Sequence, residues 1–87
     1  MDDVKELVGT IMRVLDHQEV TEAEVLDLGF EADGETLAVV NDAYIKLLEF
    51  VHDRDLRLAD PDLDRTERAL LQDALKKIAE ASGAGLR

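Results

Sequence analysis

Apolar residues recur every three or four positions along most of the chain, which is the spacing of one face of an α-helix. This pattern predicts a first helix over about residues 4–16, a short helix over 21–28 and a long helix over 35–57. A last helix is predicted to begin at Asp60. No stretch alternates apolar and polar residues as a half-buried strand would. We therefore expect an all-α fold, a small helical bundle of three main helices plus one short helix.

Side chains that cap helix N-termini mark two of the predicted starts. Thr21 with Glu24, and Asp3 with Glu6, have the spacing of a capping box. In that motif the two side chains satisfy each other's free backbone N–H groups in the first turn. Each pair therefore predicts the beginning of a helix.

Proline marks the start of the last predicted helix, and glycine marks the end of the short one. Asp60 suits the capping position of the last helix, and Pro61 suits its first helical position. Gly29 is expected to end the short helix in a left-handed conformation. We expect a single domain over residues 1–82, followed by a frayed tail over 83–87.

The long helix is apolar over more than half of its circumference. Its apolar positions are Leu37, Ala38, Val39, Val40, Ala43, Tyr44, Ile45, Leu47, Leu48, Phe50 and Val51. The apolar face predicted for the last helix consists of Leu63, Leu70, Leu71, Ala74, Leu75 and Ile78. A helix on a protein surface needs only one apolar face. We therefore expect the long helix to lie at the centre of the bundle or to share its surface with a partner or a second copy of the chain.

Composition excludes several classes of protein and site. With 87 residues, the chain has room for about one small domain. It contains no cysteine, which rules out disulfides, thiolate metal sites and a cysteine nucleophile. No apolar run approaches the roughly 20 residues of a membrane span, and no signal peptide opens the chain. We expect a cytoplasmic protein without membrane contact.

Charge is distributed unevenly along the chain. The formal net charge is -11, which argues against direct binding of nucleic-acid phosphates. Residues 14–45 hold nine acidic residues and no lysine or arginine, whereas residues 1–13 and 46–87 are each close to neutral. A surface of one sign steers a partner of the opposite sign. The alternative use of these acids is solubility and the capping of helix starts.

Two short patterns resemble metal-binding motifs without completing them. Asp60, Asp62 and Asp64 have the spacing that begins a calcium loop, but arginine and leucine occupy the positions where that loop needs glycine and glutamate. Glu49 and His52 form one Glu-x-x-His pair, whereas a di-iron bundle uses two such pairs and two further glutamates. No nucleophile or acid–base group stands out beside them. We expect no enzyme activity, no metal and no cofactor.

The first half of the chain resembles an acyl carrier protein. The likeness covers about residues 1–50 and rests on residues 19–21 (Glu-Val-Thr), on residues 27–29 (Asp-Leu-Gly) and on the long helix that follows. It implies a small acidic four-helix domain that carries phosphopantetheine on the serine of an Asp-Ser-Leu motif. The corresponding stretch, residues 32–37, contains Thr36 but no serine. The resemblance therefore implies a carrier-like domain that lacks the attachment serine.

These observations together favour a non-catalytic, acidic protein-binding module that presents residues 14–45 to a basic partner. An inhibitor that mimics nucleic-acid charge, and occupies the basic cleft of a nuclease or another DNA-handling protein, is the first alternative. The degenerate carrier-like domain is the second. Self-association through the long helix would give a homo-oligomer. The residues predicted to contact the partner are Glu19, Glu22, Glu24, Asp27, Phe30, Glu31, Asp33 and Glu35.

Overall fold

A computed structural model describes residues 3–81, which form five helices and no strand. The helices are α1 (Lys5–Leu15), α2 (Glu22–Leu26), α3 (Gly34–His52), α4 (Arg54–Ala59) and α5 (Pro61–Ala81). The prediction of an all-α fold with three main helices is confirmed, and α4 is an additional short helix that the sequence pattern did not predict. The predicted tail at 83–87 lies outside the described residues.

The core lies where α3 and α5 pack along each other, with α1 against α5 and α2 against α3. The largest fully buried side chains are Leu7, Ile11, Val25, Val40, Leu47, Leu71 and Ile78. Burying each such aliphatic side chain contributes about 1.5–3 kcal/mol of hydrophobic free energy. α4 contributes no buried residue. Within the described part of the chain, no helix has both the length and the apolar composition needed to cross a bilayer.

α3 packs against α5 and α2, which leave part of its apolar surface uncovered. Phe50 is almost completely buried, whereas Leu37 is exposed and Ile45 keeps 53% of its surface accessible to solvent. Leu70 of α5, which was predicted to face the core, is also exposed, so that prediction is wrong. The helical wheel identifies apolar positions, but it cannot show how much of the circumference the neighbouring helices cover.

The predicted continuous helix over residues 35–57 is wrong, because the helix breaks at Asp53 between α3 and α4. The side chain of Arg57, in α4, contacts the end of α3 beside the break. Its Nε donates a hydrogen bond to the Phe50 carbonyl at 2.8 Å, an acceptor that a continuous helix would pair with a backbone N–H one turn later. The Arg57 guanidinium also lies 3.5 Å from the centroid of the Phe50 ring. Beyond the break, the side chains of Leu56 and Leu58 are exposed to solvent.

Two of the three predicted capping arrangements are confirmed. Thr21 and Glu24 form a reciprocal capping box at the start of α2, with hydrogen bonds of 3.0 and 3.2 Å. The Asp60 carboxylate accepts hydrogen bonds from the N–H groups of Asp62 and Leu63, at 3.1 and 3.3 Å. These side chains fix where α2 and α5 begin, as the local sequence indicates.

The predicted capping box of Asp3 and Glu6 is wrong, because both residues contact the α2–α3 loop instead. Asp3 and Glu31 exchange backbone hydrogen bonds of 2.7 and 2.9 Å. The Glu6 carboxylate accepts a hydrogen bond of 3.3 Å from the N–H of Gly29. No side chain caps the start of α1, whose capping position is occupied by Val4. Tertiary contacts have replaced the local ones.

The left-handed turn predicted at Gly29 is also wrong. α2 ends at Asp27 in a right-handed conformation. Among the described residues, the positive φ angles belong to His17 (63°), which follows α1, and Gly34 (58°), which opens α3. The left-handed backbone conformation in this region therefore occurs at Gly34, where α3 begins, and not at the end of α2.

Candidate functional site

The nine acidic residues of segment 14–45 are all exposed, but the fold supplies several of them with cations from other parts of the sequence. Arg54 Nη2 lies 3.3 Å from Glu19 Oε1, and Arg13 Nη2 lies 3.8 Å from Glu24 Oε1. The other pairs are Glu22–His52 and, with a lysine just outside the segment, Asp42–Lys46. The lack of bases within this segment therefore does not produce a uniformly unpaired surface.

Apart from Asp16, which follows α1, the acids of this segment that form no ion pair with another described residue lie around the α2–α3 loop. Asp27, Glu31 and Glu35 form no ion pair with another described residue. Asp33 lies exposed in the same loop. Of the predicted contact residues, Glu19 and Glu24 lie beside arginines and Glu22 lies beside His52, whereas Asp27, Glu31 and Glu35 form no such pair.

The start of α1 brings two more carboxylates to the same loop. Asp3 is joined to it by the backbone pairing with Glu31, and Glu6 by its hydrogen bond to Gly29. Lys5 of α1 lines the same surface depressions as these carboxylates, and Arg13 shares one of them with Glu6 and Asp27. We call the following set the acidic end of the bundle: Asp3, Glu6, Asp27, Glu31 and Glu35. Sequence reasoning missed Asp3 and Glu6, because only the fold brings them beside residues 27–35.

Phe30 holds the acidic end against the core. Its ring is partly buried and packs 5.5 Å from the ring of Tyr44, measured between centroids. The phenylalanine therefore anchors the loop to α3 and exposes only part of its surface. The apolar side chains that the loop region exposes more fully are Leu26, at the end of α2, and Leu37, in the first turns of α3. The sequence pattern had assigned Leu37 to the helix interface and had not singled out Leu26.

The residues of the two incomplete metal patterns have structural partners. Asp60 caps α5, Asp62 lies 3.1 Å from Arg65, and Asp64 accepts hydrogen bonds from two arginines. His52 is exposed. Across residues 3–81, no group of three or more His, Asp or Glu side chains is arranged to hold a metal ion.

Thr36 stands in the stretch where the carrier resemblance would place its serine. Its side chain is buried, and its Oγ1 donates a hydrogen bond of 3.2 Å to the carbonyl of Ala81. The hydroxyl ties the start of α3 to the end of α5. It is not presented at the surface, where a prosthetic arm would have to be attached.

A second cluster of charges lies at the break between α3 and α4. Burial, and after it the hydrogen bond shared with Asp53, raises the pKa of Glu67 to about 7, and Glu49 adds to this effect while Arg57 opposes it. The Oε2 atom of Glu67 is buried without a hydrogen-bond partner. This carboxyl therefore takes up a proton close to neutral pH. Nothing in the local sequence distinguishes Glu67 from the other acids of α5.

Asp64 behaves in the opposite way to Glu67, although both lie on α5. Burial disfavours its charged form, but hydrogen bonds from Arg68 and Arg57, each 2.8 Å long, outweigh burial and hold the pKa of Asp64 below its usual value. Asp64 is therefore a fixed negative charge between two guanidinium groups.

A scan against models of known protein families, and searches of characterised proteins and of solved structures, found no match for this chain. The interpretation of the acidic end accordingly rests on its own geometry and charge.

Proposed function

We propose that the chain is a non-catalytic protein-binding module whose acidic end receives a basic surface of a partner protein. The observation that carries this proposal is the exposure of Asp27, Glu31 and Glu35 without any ion pair to another described residue. Carboxylates that already form an ion pair within the chain attract a basic partner less strongly. These three form no ion pair with another described residue, and the backbone pairing of Asp3 with Glu31 joins the segment before α1 to the α2–α3 loop.

Electrostatic steering is the contribution that such a surface makes to binding. Clustered charge of one sign raises the association rate with an oppositely charged partner by about 10- to 1000-fold, and the effect falls steeply with ionic strength. Exposed charges add little to the final affinity, because salt and solvent screen them. The proposal therefore predicts a strong effect on the association rate and a weaker one on the dissociation rate.

Apolar contact would come from the margins of the acidic end. Leu26 is 59% exposed and Leu37 is 40% exposed, and they lie at the two ends of the α2–α3 connection. Protein interfaces combine apolar contacts with polar and charged ones. A partner that covers the loop would bury these leucines while its basic groups face Asp27 and Glu31.

Two variants, compared with the wild type, test the proposal: an acidic-end triple and a matched triple elsewhere. The acidic-end triple is Asp27→Asn, Glu31→Gln and Glu35→Gln. The matched triple is Asp55→Asn, Asp62→Asn and Asp73→Asn, which changes the net charge equally at exposed positions on α4 and α5. Affinity capture from the source lysate at low salt identifies partners, and association rates are then measured with the purified partner at low and high salt.

We expect the acidic-end triple to slow association at least about tenfold at low salt, and the matched triple to change it by less than about twofold. Equal slowing in both triples would mean that net charge alone acts, and would overturn the assignment of the site. Competition with DNA distinguishes the charge-mimic alternative, because DNA displaces a mimic from a nuclease but not an adaptor from an unrelated basic surface.

A further inference from the structure

A polar cleft of about 220 Å³ lies at the other end of α1 from the acidic end. It is bounded by the turn that follows α1, by α4 and by the first half of α5. The charged and titratable side chains in its wall are His17, Glu19, Arg54, Arg57 and Arg68. Three guanidinium groups and one imidazole thus face one carboxylate, in a chain whose formal net charge is -11.

Two of these arginines are held rigidly. Arg57 and Arg68 retain only 10% and 22% of their side-chain exposure. Their guanidinium carbons lie 3.5 and 5.1 Å from the centroid of the Phe50 ring. Asp64 accepts a hydrogen bond from each of them. Two guanidinium groups thus share the Asp64 carboxylate, and Arg57 also interacts with Glu67.

Backbone contacts fix the direction in which the guanidinium groups point. Arg57 Nε donates to the carbonyl of Phe50, and Arg68 Nη1 donates to the carbonyl of Val14 at the end of α1. The Nη2 groups of both arginines form no hydrogen bond with a described residue. Neither Nη2 is a buried atom without a partner, so both are open to solvent. Donors in the wall of a cleft that are bonded only to water can exchange that water for a ligand oxygen.

Arg54 and His17, which are both exposed, line the part of the cleft that is open to solvent. Arg54 is more than half exposed and lies beside Glu19, so that it can turn toward a bound anion without disturbing the core. The positive φ of His17 places its imidazole at the turn after α1. A guanidinium group binds carboxylate and phosphate oxygens through paired, charge-assisted hydrogen bonds.

We propose that this cleft binds a small oxyanion, a phosphate or a carboxylate group carried by a small molecule. Its volume is below the range of about 300–1000 Å³ that is usual for drug-sized ligands, so the cleft fits the anionic group and few further atoms. The site does not depend on the function proposed for the acidic end. The arginines also stabilise the ends of α1 and α3, and ligand binding uses the donors that this structural role leaves unused.

The test is a titration of the protein with small anions, monitored by nuclear magnetic resonance of the backbone amides and the arginine Nε groups. The probes are inorganic phosphate and acetate, each added at constant ionic strength against sodium chloride. We expect saturable shifts at residues 17–20 and at Arg54, Arg57 and Arg68, with half-saturation in the millimolar range. Saturation by phosphate alone assigns the site to phosphorylated ligands, and saturation by both assigns it to oxyanions in general.

Two variants and one control separate a binding site from a general charge effect. Arg54→Gln removes an exposed guanidinium, and His17→Asn removes the imidazole while keeping a residue that tolerates a positive φ. We expect each to weaken phosphate binding at least about threefold, equivalent to roughly 0.6 kcal/mol. Arg65→Gln, outside the cleft, is expected to leave it unchanged. Shifts that do not saturate, that chloride reproduces, or that both cleft variants leave unaltered would overturn the proposal.

Discussion

The acidic end and the arginine cleft lie at opposite ends of α1, and they hold charge in different ways. At the acidic end, Asp27 and Glu31 are exposed in the α2–α3 connection, which pairs with the backbone of Asp3, and Glu35 is exposed in the first turn of α3. In the cleft, Arg57 and Arg68 are largely buried, stacked on one aromatic ring and bound to carbonyl groups. The charges of the acidic end are exposed carboxylates without ion pairs to described residues. Those of the cleft include two partly buried arginines that hydrogen bonds hold in place.

This difference determines what each region contributes. Exposed charges interact through water, so they affect encounter rates and respond to salt, but they hardly stabilise the fold. Partly buried charges interact through a lower dielectric, so the loss of one partner leaves another uncompensated. The arginine cleft should therefore govern stability, and the acidic end should govern association.

The largest expected effect is on the arginine side. Arg68→Ala removes one of the two guanidinium partners of Asp64 and the donor to the Val14 carbonyl. We expect the free energy of unfolding to fall by about 2–4 kcal/mol, measured by urea denaturation. Arg65→Ala is the matched control, because Arg65 forms an exposed pair with Asp62, and it should change stability by less than about 0.5 kcal/mol. Equal losses in the two variants would erase the contrast between buried and exposed charge.

An intermediate effect is expected at Glu67, as a dependence of stability on pH. Its pKa in the folded state, about 7, lies above the ordinary value of 4.5. The folded state therefore binds the proton more tightly, and the free energy of unfolding should fall as pH rises from about 4.5 to about 7 and then level off. The total loss should be on the order of 1–3 kcal/mol. Chemical denaturation at a series of pH values measures it.

Glu67→Gln provides the control for this pH dependence. Glutamine keeps a hydrogen-bond donor near Asp53 but carries no titrating charge. Its stability should not fall through this window, and it should exceed that of the wild type above pH 7. Glu80→Gln, at an exposed position on α5, should leave the wild-type curve unchanged. If the wild type and Glu67→Gln lose stability in parallel through this window, another group titrates; if neither curve falls, Glu67 does not contribute the expected pH dependence.

The smallest expected effect on stability is at the acidic end. Asp27→Asn, Glu31→Gln and Glu35→Gln together should change the free energy of unfolding by less than about 1 kcal/mol, with any gain confined to low salt. Urea denaturation at low and high salt measures this change. A loss of several kcal/mol would place these carboxylates among the structural charges and would remove the contrast on which the proposed function depends.

Local signals in the sequence were enough to predict most of the helical framework. The capping box at Thr21 and the aspartate–proline start of α5 depend on side chains within one helical turn, so they are readable from sequence. The break at Asp53 is not, because it accompanies contacts of Arg57 with the ring and the carbonyl of Phe50, seven residues away. The Asp3 and Glu31 pairing is likewise invisible in either local segment.

Charge was harder to interpret from sequence, in two opposite directions. Segment 14–45 contains no lysine or arginine, yet the fold brings Arg13 to Glu24 and Arg54 to Glu19. Residues 46–87 are nearly neutral in sum, yet the fold gathers three of their arginines around one cleft. A net charge counted along a chain cannot show which charges the tertiary structure brings together or which it buries.

The pairing of residue 3 with residue 31 has a practical consequence for anyone who labels or immobilises this protein. A fusion attached ahead of residue 3 would emerge beside Glu31 and shield the acidic end. The end of α5 offers no better outlet, since Ala81 is bound to Thr36 at the start of α3. Because the chain has no cysteine, Asp55→Cys on α4 would supply a unique thiol for a dye or a sensor chip on the far side. Molecules tethered there would present the loop outward.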